Sequence, residues 1–250
     1  MRKIIKMFND GNVCVCGERG CGKDMLFANV IARRKLDYIS NSEYSRKGLP
    51  VKYFPLDFEK INCGGNTYDD FMQGSPKPYV YPYPLGVDVY ITDVGVYMPS
   101  QFCNELNKKY KEIPTFMALS RHLGQCNVHI NVQNLNRAWD KLREQSRRYI
   151  TCLKCKVIPI GKKQLVIQKV RIYELSQSCI QNVPKLRLPW YMKIGSDRML
   201  AKLYKLNYEV QHGKITERTL VYWNKSNYDT HIFRSMLADA EKGVDYEKKV

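Results

Sequence analysis

The chain has 250 residues, of which 44% are hydrophobic, so it can bury one substantial core without disulfide or metal cross-links. Lys and Arg number 41 against 24 Asp and Glu, and the resulting net charge of +17 favours a polyanionic partner. Nucleic acid is the partner we expect, and an anionic membrane surface is the alternative. The nine cysteines are an odd number and we find no apolar leader or membrane-length apolar run, which predicts reduced thiols and a cytoplasmic protein without a transmembrane segment.

The first part of the chain predicts a strand, a turn and a helix. A short β-prone run, NVCVC, is followed by the glycine-rich GERGCGK and then by DMLFANVIARRKL, whose apolar residues recur at helical spacing. A second strand, VKYFP at 51–55, follows a polar connection. This order predicts a parallel sheet with helices on its faces.

The middle of the chain continues this alternation after a stretch at 61–86 that is rich in glycine and proline. That stretch predicts mostly loop, with a short helix at TYDDFMQ. The elements expected after it are a strand at VDVYIT, helices at PSQFCNELNKKY and IPTFMALSRHL, a strand at NVHINVQ and a helix at LNRAWDKLREQSRRY.

The pattern changes near residue 150. Two β-rich runs flank Gly161-Lys162-Lys163 within TCLKCKVIPIGKKQLVIQKVRIYEL, which predicts an antiparallel hairpin. From Gln181 onward a single helix is expected, at THIFRSMLADAEKG, followed by a frayed end. We therefore predict a main domain at 1–178 and a C-terminal extension at 179–250.

The most specific motif is GERGCGKD at 17–24, which matches the G-x-x-x-x-G-K pattern of a phosphate-binding P-loop between a predicted strand and a predicted helix. Gly17, Gly20 and Gly22 allow backbone N–H groups, that of Cys21 included, to turn toward phosphate oxygens at the positive end of the helix. Lys23 is expected to reach the β and γ phosphates of ATP. A glycine-rich turn that binds nothing is the structural alternative.

Two carboxylates are expected to hold Mg²⁺ beside the loop. Asp24 occupies the position where the motif has Ser or Thr, so it would bind the metal directly or through water. Asp93 ends the VDVYIT strand and fits the Walker B carboxylate, with an ordinary strand-end aspartate as the alternative. Val94 replaces the glutamate that commonly follows, so the general base stays open among Asp93, Asp24 and Glu105.

Three segments occur in a recognisable order: GERGCGKD, then YITDVGVYMPSQ, then LSRHLGQCNVHINVQNLNRAWDKLREQSRRY. Together they resemble the ATPase domain of the zonular occludens toxin-like family, a branch of the FtsK/HerA DNA-pumping superfamily that includes filamentous-phage assembly proteins. The resemblance covers residues 1–175. It implies an α/β P-loop NTPase fold of the ASCE, RecA-like type, here with a mainly parallel central sheet, an antiparallel β-hairpin annex and a small C-terminal extension. It also implies a homo-oligomeric ring that binds Mg-ATP between subunits.

The family pattern implies roles for three more side chains. Gln133, at the end of NVHINVQ, is expected to contact the γ-phosphate or the lytic water, and a polar strand cap is its alternative. Arg121 in SRHLG and Arg143 in the following helix are each expected as an arginine finger that reaches a neighbouring subunit's nucleotide. A solvated or DNA-facing charge is the alternative for both.

The predicted hairpin carries a set of basic residues that suits contact with a phosphate backbone without sequence readout, with VIPI and LVI on its other face. A solvated strand face is the alternative. The basic residues are Lys154, Lys156, Lys162, Lys163, Lys169 and Arg171.

Two other groupings are read as structural. Cys152-x-x-Cys155 has no second pair or histidine at zinc spacing, which indicates plain thiols in a strand. Tyr79, Tyr81 and Tyr83 alternate with other residues in a proline-rich run, which predicts a packed rigid loop, with base stacking as the alternative.

These observations favour an ATP-driven motor that translocates DNA for phage genome packaging, with a portal or other virion assembly protein as a partner in the host cytoplasm. Three alternatives stay open: a virion assembly and export ATPase with a membrane partner, a catalytically degenerate nucleotide-binding scaffold, and a membrane-associated toxin-like protein. Export members of the family usually carry a membrane-spanning segment after the ATPase domain. We find none in this sequence, which favours packaging.

Overall fold

The fold is taken from a computed structural model that describes residues 1–44, 51–61, 63–94, 112–134, 142, 145–146, 148–174 and 214–226. The helices predicted at PSQFCNELNKKY and THIFRSMLADAEKG lie outside these residues, as does most of the one predicted at LNRAWDKLREQSRRY. The domain boundary at residue 178 also lies outside them and stays a prediction.

One eight-stranded sheet organises the described part of the chain. Its order is β3-β2-β4-β5-β1-β6-β7-β8, with parallel pairing from β3 to β6 and antiparallel pairing of β7 with β6 and with β8. This arrangement confirms the predicted α/β fold with a mainly parallel sheet and an antiparallel annex. The strands are β1 Val13–Cys16, β2 Tyr38–Ser40, β3 Tyr53–Pro55, β4 Asp88–Ile91, β5 Val128–Val132, β6 Arg148–Ile160, β7 Lys163–Glu174 and β8 Lys214–Trp223.

Helices cover the sheet. A single 3₁₀ turn lies at Cys63–Gly65. The α-helices of the described residues are α1 Arg2–Asn9, α2 Lys23–Arg34, α3 Tyr68–Met72 and α4 Glu112–Leu123. Three of them confirm predicted helices, and α3 begins where the Thr67 side chain and Asp70 form a reciprocal capping box.

The sequence analysis missed three elements. Helix α1, whose Ile4, Met7 and Phe8 are buried, precedes the first predicted strand. Strand β2 lies between the P-loop helix and the VKYFP segment, which forms only a short third strand at the sheet edge. Strand β8 falls in the predicted C-terminal extension, where only a helix was expected, and adds an outer strand to the annex.

Apolar side chains form a core on each face of the sheet. One contains Ile91, Phe116 and Ile130, and the other contains Phe8, Phe27 and much of α2. The five strands β1 to β5 are short and fully parallel, so their carboxyl ends meet at one edge of the sheet. The functional side chains of such sheets lie at that edge.

Strand β6 extends beyond this edge. It pairs with β1 only from Arg148 to Thr151, and then continues with β7 to a turn at Gly161 and Lys162. The register with β7 shifts between Cys152 and Lys154, which marks a β-bulge. From the bulge to the turn, the hairpin projects about 25 Å at a rise of about 3.3 Å per residue.

A buried polar cluster lies at the opposite, amino-terminal edge. Arg34 at the end of α2 donates to Asp88 at 2.5 Å and to Tyr90 at 2.8 Å, and His129 Nε2 lies 3.6 Å from the same carboxylate. Burial alone would raise the pKa of Asp88, but His129, Arg34 and the Asn127 N–H lower it to about 2. This cluster ties the P-loop helix to β4.

Candidate nucleotide site

The loop after β1 has the backbone of a phosphate-binding turn. Gly20 and Gly22 have φ of 82° and 84°, in the left-handed region that favours glycine, and Gly22 directly precedes α2. A Cβ at Gly17 would lie 2.5 Å from the Cys152 carbonyl oxygen, and one at Gly22 would lie 2.6 Å from the Cys155 Cβ. Both glycines are therefore required by close packing against β6.

The annex also holds the loop through one buried amide. Gln168 on β7 is fully buried, and its Nε2 donates to the carbonyl oxygens of Cys21 at 3.3 Å and Gly22 at 2.9 Å. Its Oε1 accepts from the Tyr222 hydroxyl on β8 at 2.9 Å. These bonds fix two loop carbonyls against the annex.

Lys23 and Asp24 open helix α2 beneath the loop. Lys23 is buried, with 5% of its surface exposed, and its Nζ lies 3.8 Å from an Asp24 carboxylate oxygen. Asn131 on β5 is fully buried and donates to the other carboxylate oxygen of Asp24 at 2.5 Å. The Asn131 amide therefore orients the carboxylate that replaces the usual hydroxyl.

Asp93 lies two residues beyond β4, in a left-handed conformation with φ of 49°. The preceding residue, Thr92, is clamped by Asn41, whose side chain accepts from its N–H at 2.8 Å and donates to its carbonyl oxygen at 3.1 Å. Ser42 adds a hydroxyl contact to Thr92 at 2.9 Å. The clamp holds the backbone that presents Asp93.

The donor atoms of this site fit a hydrated Mg²⁺ ion. Asp93 Oδ1 and Asn131 Oδ1 are buried with no protein partner among the described residues. Burial raises the pKa of Asp24, Lys23 lowers it, and the nearby Asp93 charge raises it further. Oxygen ligands and two mutually repelling carboxylates are the environment in which a hard divalent cation is favoured.

The other predicted site residues are placed differently. Gln133 is exposed directly after β5, at the same edge as the loop. Arg121 is exposed at the opposite edge, where its Nε donates to Asn127 at 3.3 Å. Arg143 and Glu105 lie outside the described residues.

The hairpin does not separate its basic and apolar residues as predicted. Lys156 lies opposite Ile167, and Ile158 lies opposite Leu165, so on this part of the hairpin both kinds share a face. The expectation that VIPI and LVI lie wholly opposite the lysines is therefore wrong, because side chains alternate with period two along each strand. Lys154, Lys156, Lys162 and Lys163 are exposed.

An acidic residue on strand β8 neutralises part of the positive charge of the predicted basic set. Glu217 accepts from Arg171 Nε at 2.8 Å and lies 3.4 Å from Lys169 Nζ. The remaining exposed lysines lie toward the end of the hairpin, beyond the loop.

The cysteines and tyrosines have structural neighbours. The part of the chain that the structure describes holds no cluster of three or more His, Cys, Asp or Glu arranged for a metal ion. Tyr81 stacks on Phe116 with ring centroids 5.9 Å apart, and the Tyr83 hydroxyl donates to the Pro55 carbonyl oxygen at 3.1 Å. The tyrosine segment is thus packed against helix α4 and strand β3.

Sequence reasoning missed four residues that build this site: Asn41, Asn131, Gln168 and Tyr222. Two of them carried a readable signal. Asn131 interrupts the buried run VHINV, and Gln168 interrupts LVIQKV, and a polar side chain in a buried strand requires a partner.

Together, the strand order, the glycine turn before α2 and the carboxylate after β4 define an α/β P-loop NTPase fold. Neither a family model nor a curated protein sequence matches the chain. Among solved structures it is similar to the N-terminal domain of zonular occludens toxin from Neisseria meningitidis, at 12% identity and a TM-score of 0.39, covering 90% of this chain and 97% of that one.

Two further solved structures are viral. One is B204, the DNA-packaging ATPase from Sulfolobus Turreted Icosahedral Virus, at 14% identity and a TM-score of 0.37, covering 84% of this chain and 97% of that one. The other is the genome packaging NTPase B204 from Sulfolobus turreted icosahedral virus 2 in complex with ATP-gammaS, at 15% identity and a TM-score of 0.38, covering 68% and 95%. None of the helices that the structure describes has the length and apolar character to cross a membrane.

Proposed function

We propose that the protein is a P-loop ATPase that couples ATP hydrolysis to the movement of DNA, as a phage genome packaging motor. The observation that carries the proposal is the meeting, at one sheet edge, of the glycine loop with Lys23 and the unpaired buried oxygens of Asp93 and Asn131. Burying a charged lysine beside two carboxylates is costly, and a turn with only a structural role would not explain this arrangement.

Nucleotide binding follows from the loop. Its N–H groups and the amino end of α2 present partial positive charge to phosphate oxygens, and Lys23 adds a full charge. Asp24 and Asp93 are the proposed metal ligands, with Asp24 held by Asn131. When bound, Mg²⁺ neutralises charge on the phosphates and on both carboxylates.

Hydrolysis requires a positioned water and stabilisation of the charge that develops on the γ-phosphate. Gln133, exposed beside the loop, is the proposed contact to that water or to the γ-phosphate. Arg121 lies at the far edge of its own subunit, so a role as a finger requires a second copy of the chain. We therefore propose a ring, with Arg121 or Arg143 acting in trans.

DNA contact is assigned to the exposed lysines of the hairpin. They lie on strands that also pack against the loop, and the chain has a net charge of +17. Contacts of this kind are sequence-independent and weaken as salt rises. A portal or another virion assembly protein is the proposed partner at the end of the motor.

The test is steady-state ATP turnover with and without double-stranded DNA. We expect DNA to stimulate turnover, and Lys23→Ala and Asp93→Ala to abolish it, because the first removes phosphate binding and the second removes a metal ligand. Lys60→Ala is the matched control, since Lys60 is an exposed lysine that lies away from the loop in sequence and pairs with Asp57 at 3.5 Å.

The same assay decides between the alternatives. Absence of turnover in every oligomeric state, with ATP binding retained, would reject the motor and identify a nucleotide-binding scaffold. Turnover that is insensitive to DNA but stimulated by lipid vesicles would instead favour the export or toxin-like alternative.

A further inference from the structure

Four thiols surround the phosphate-binding loop, and the proposed function uses none of their sulfur atoms. They are all free cysteines, located at the end of β1, within the loop itself and on β6. The four are Cys16, Cys21, Cys152 and Cys155.

Two of these thiols, those of Cys21 and Cys152, meet at the space left by the missing side chain of Gly17. A Cβ at Gly17 would lie 2.5 Å from Cys21 Sγ and 3.2 Å from Cys152 Cβ. The two thiols are close enough for each to shift the pKa of the other. Cys152 Sγ also lies 3.4 Å from Gln168 Nε2, which itself donates to the Cys21 carbonyl oxygen.

These contacts show that Cys21 and Cys152 border the same small space and are neighbours across the loop. A disulfide forms without backbone movement only where the two Cβ atoms are close and directed toward each other. Cys155 packs elsewhere, against the Gly22 position, with its Sγ 2.7 Å from a Cβ built there. The Cys16 Sγ is paired with the Thr151 hydroxyl at 3.1 Å, so the geometry favours Cys152 as the partner of Cys21.

The local electrostatics give the pair distinct roles. The neighbouring Cys152 thiol lowers the pKa of Cys21 to about 7, against the opposing effect of burial, and Lys23 contributes to the lowering. The Cys21 thiol and burial raise the pKa of Cys152. The thiolate is the reacting form, so Cys21 is the attacking sulfur and Cys152 the resolving one.

We propose that Cys21 and Cys152 form a peroxide-sensitive pair that links the phosphate-binding loop to β6. The Cys21 thiolate attacks one oxygen of a peroxide, the O–O bond breaks, and with one proton Cys21 becomes a sulfenic acid while the other oxygen leaves as water or an alcohol. The Cys152 sulfur then attacks the Cys21 sulfur, the S–O bond breaks, and a second water leaves with the Cys152 proton. Two thiols are thus oxidised and one peroxide is reduced.

The consequence for nucleotide binding rests on the proposed function. The disulfide bonds the loop covalently to β6 at the residue before Gly22, so the Cys21 N–H, which donates to the Glu18 carbonyl oxygen at 3.3 Å, can no longer turn toward a phosphate oxygen. We expect ATP binding to the oxidised protein to be at least tenfold weaker, and to recover fully after reduction.

The experiment treats the full chain with hydrogen peroxide and measures intact mass, linked peptides and binding of a non-hydrolysable ATP analogue. We expect loss of two hydrogens and a cross-linked peptide that joins positions 21 and 152. In Cys152→Ser the cross-link should be lost and a dimedone-trapped sulfenic acid should appear at Cys21. Cys155→Ser is the matched control and should form the cross-link as the unmodified chain does.

Three outcomes would overturn the inference. A cross-link between other cysteines, or one that survives Cys152→Ser, would refute the pair. A mapped disulfide with unchanged analogue binding would refute its effect on the loop. If the reduced protein binds no analogue, the proposed function fails, whereas the peptide map still decides whether the pair exists.

Discussion

Replacing Gln168 by leucine tests whether the annex holds the phosphate-binding loop. Leucine fills similar space but removes the amide that donates to the Cys21 and Gly22 carbonyl oxygens and accepts from Tyr222. The Gly22 carbonyl oxygen keeps its bond from the Leu26 N–H at 2.9 Å, so the Cys21 carbonyl and the Tyr222 hydroxyl are the groups left unpaired.

The size of the effect follows from these two groups. A buried polar group that loses its partner costs about 1–3 kcal/mol, so Gln168→Leu should lower the free energy of unfolding by about 3 kcal/mol. Affinity for an ATP analogue should fall at least tenfold, because the loop carbonyls are no longer fixed. Urea unfolding and titration calorimetry measure the two quantities.

Gln164→Leu provides the matched control on the same strand. Gln164 is exposed, and its side chain accepts from Asn224 Nδ2 at 2.8 Å. This variant should stay within about 0.5 kcal/mol of the unmodified protein. If Gln168→Leu unfolds at the same urea concentration as Gln164→Leu, or binds the analogue with unchanged affinity, the buttressing role of the annex is refuted.

Gly22→Ala should abolish analogue binding and destabilise the fold, because the new Cβ would lie 2.6 Å from the Cys155 Cβ. Gly20→Ala meets open space, so in thermal unfolding it should cost only about 1–2 kcal/mol, from the left-handed backbone conformation. Folding lowers the pKa of Asp88 from 3.8 to about 2. Its contribution of about 2 kcal/mol to the free energy of unfolding is therefore present above pH 4 and lost as pH falls toward 2. In acid unfolding, Asp88→Asn should not show this loss of stability. DNA stimulation of turnover should decline between 50 and 200 mM salt, values at which a phosphate-contacting protein loses much of its affinity, and Lys154→Ala with Lys156→Ala should flatten that decline. A salt-independent rate would argue against the hairpin as the contact.

Local sequence patterns predicted the centre of the fold well. The loop after β1 and helix α2 follow from glycine spacing and helical periodicity, and both are short-range signals. The missed strand β2 has only three residues, too few for a period to be read, and VKYFP carried the clearer β-prone composition.

The contacts that complete the site depend on long-range pairing. Gln168 lies 146 residues beyond Gly22, and Tyr222 is brought to it only because β8 pairs with β7. No local pattern specifies which strands become neighbours. The polar interruptions at Asn131 and Gln168 indicate that a partner exists, but the partner itself follows from the sheet order.

The bulge at Leu153 has a consequence for the whole hairpin. In an uninterrupted strand, residues three apart point to opposite sides, so Cys152 and Cys155 would diverge. The extra residue resets the alternation, and both thiols turn toward the glycines of the loop, at Gly17 and Gly22. If Leu153 instead took a regular place in the ladder, every residue beyond it would face the opposite side, and Lys154 and Lys156 would point toward the loop in place of Cys155. Deleting Leu153 would remove the bulge and leave Cys152 and Cys155 on the same side, because they would then be two positions apart. The bulge therefore decides which side of the hairpin packs against the glycine loop and which side faces the solvent.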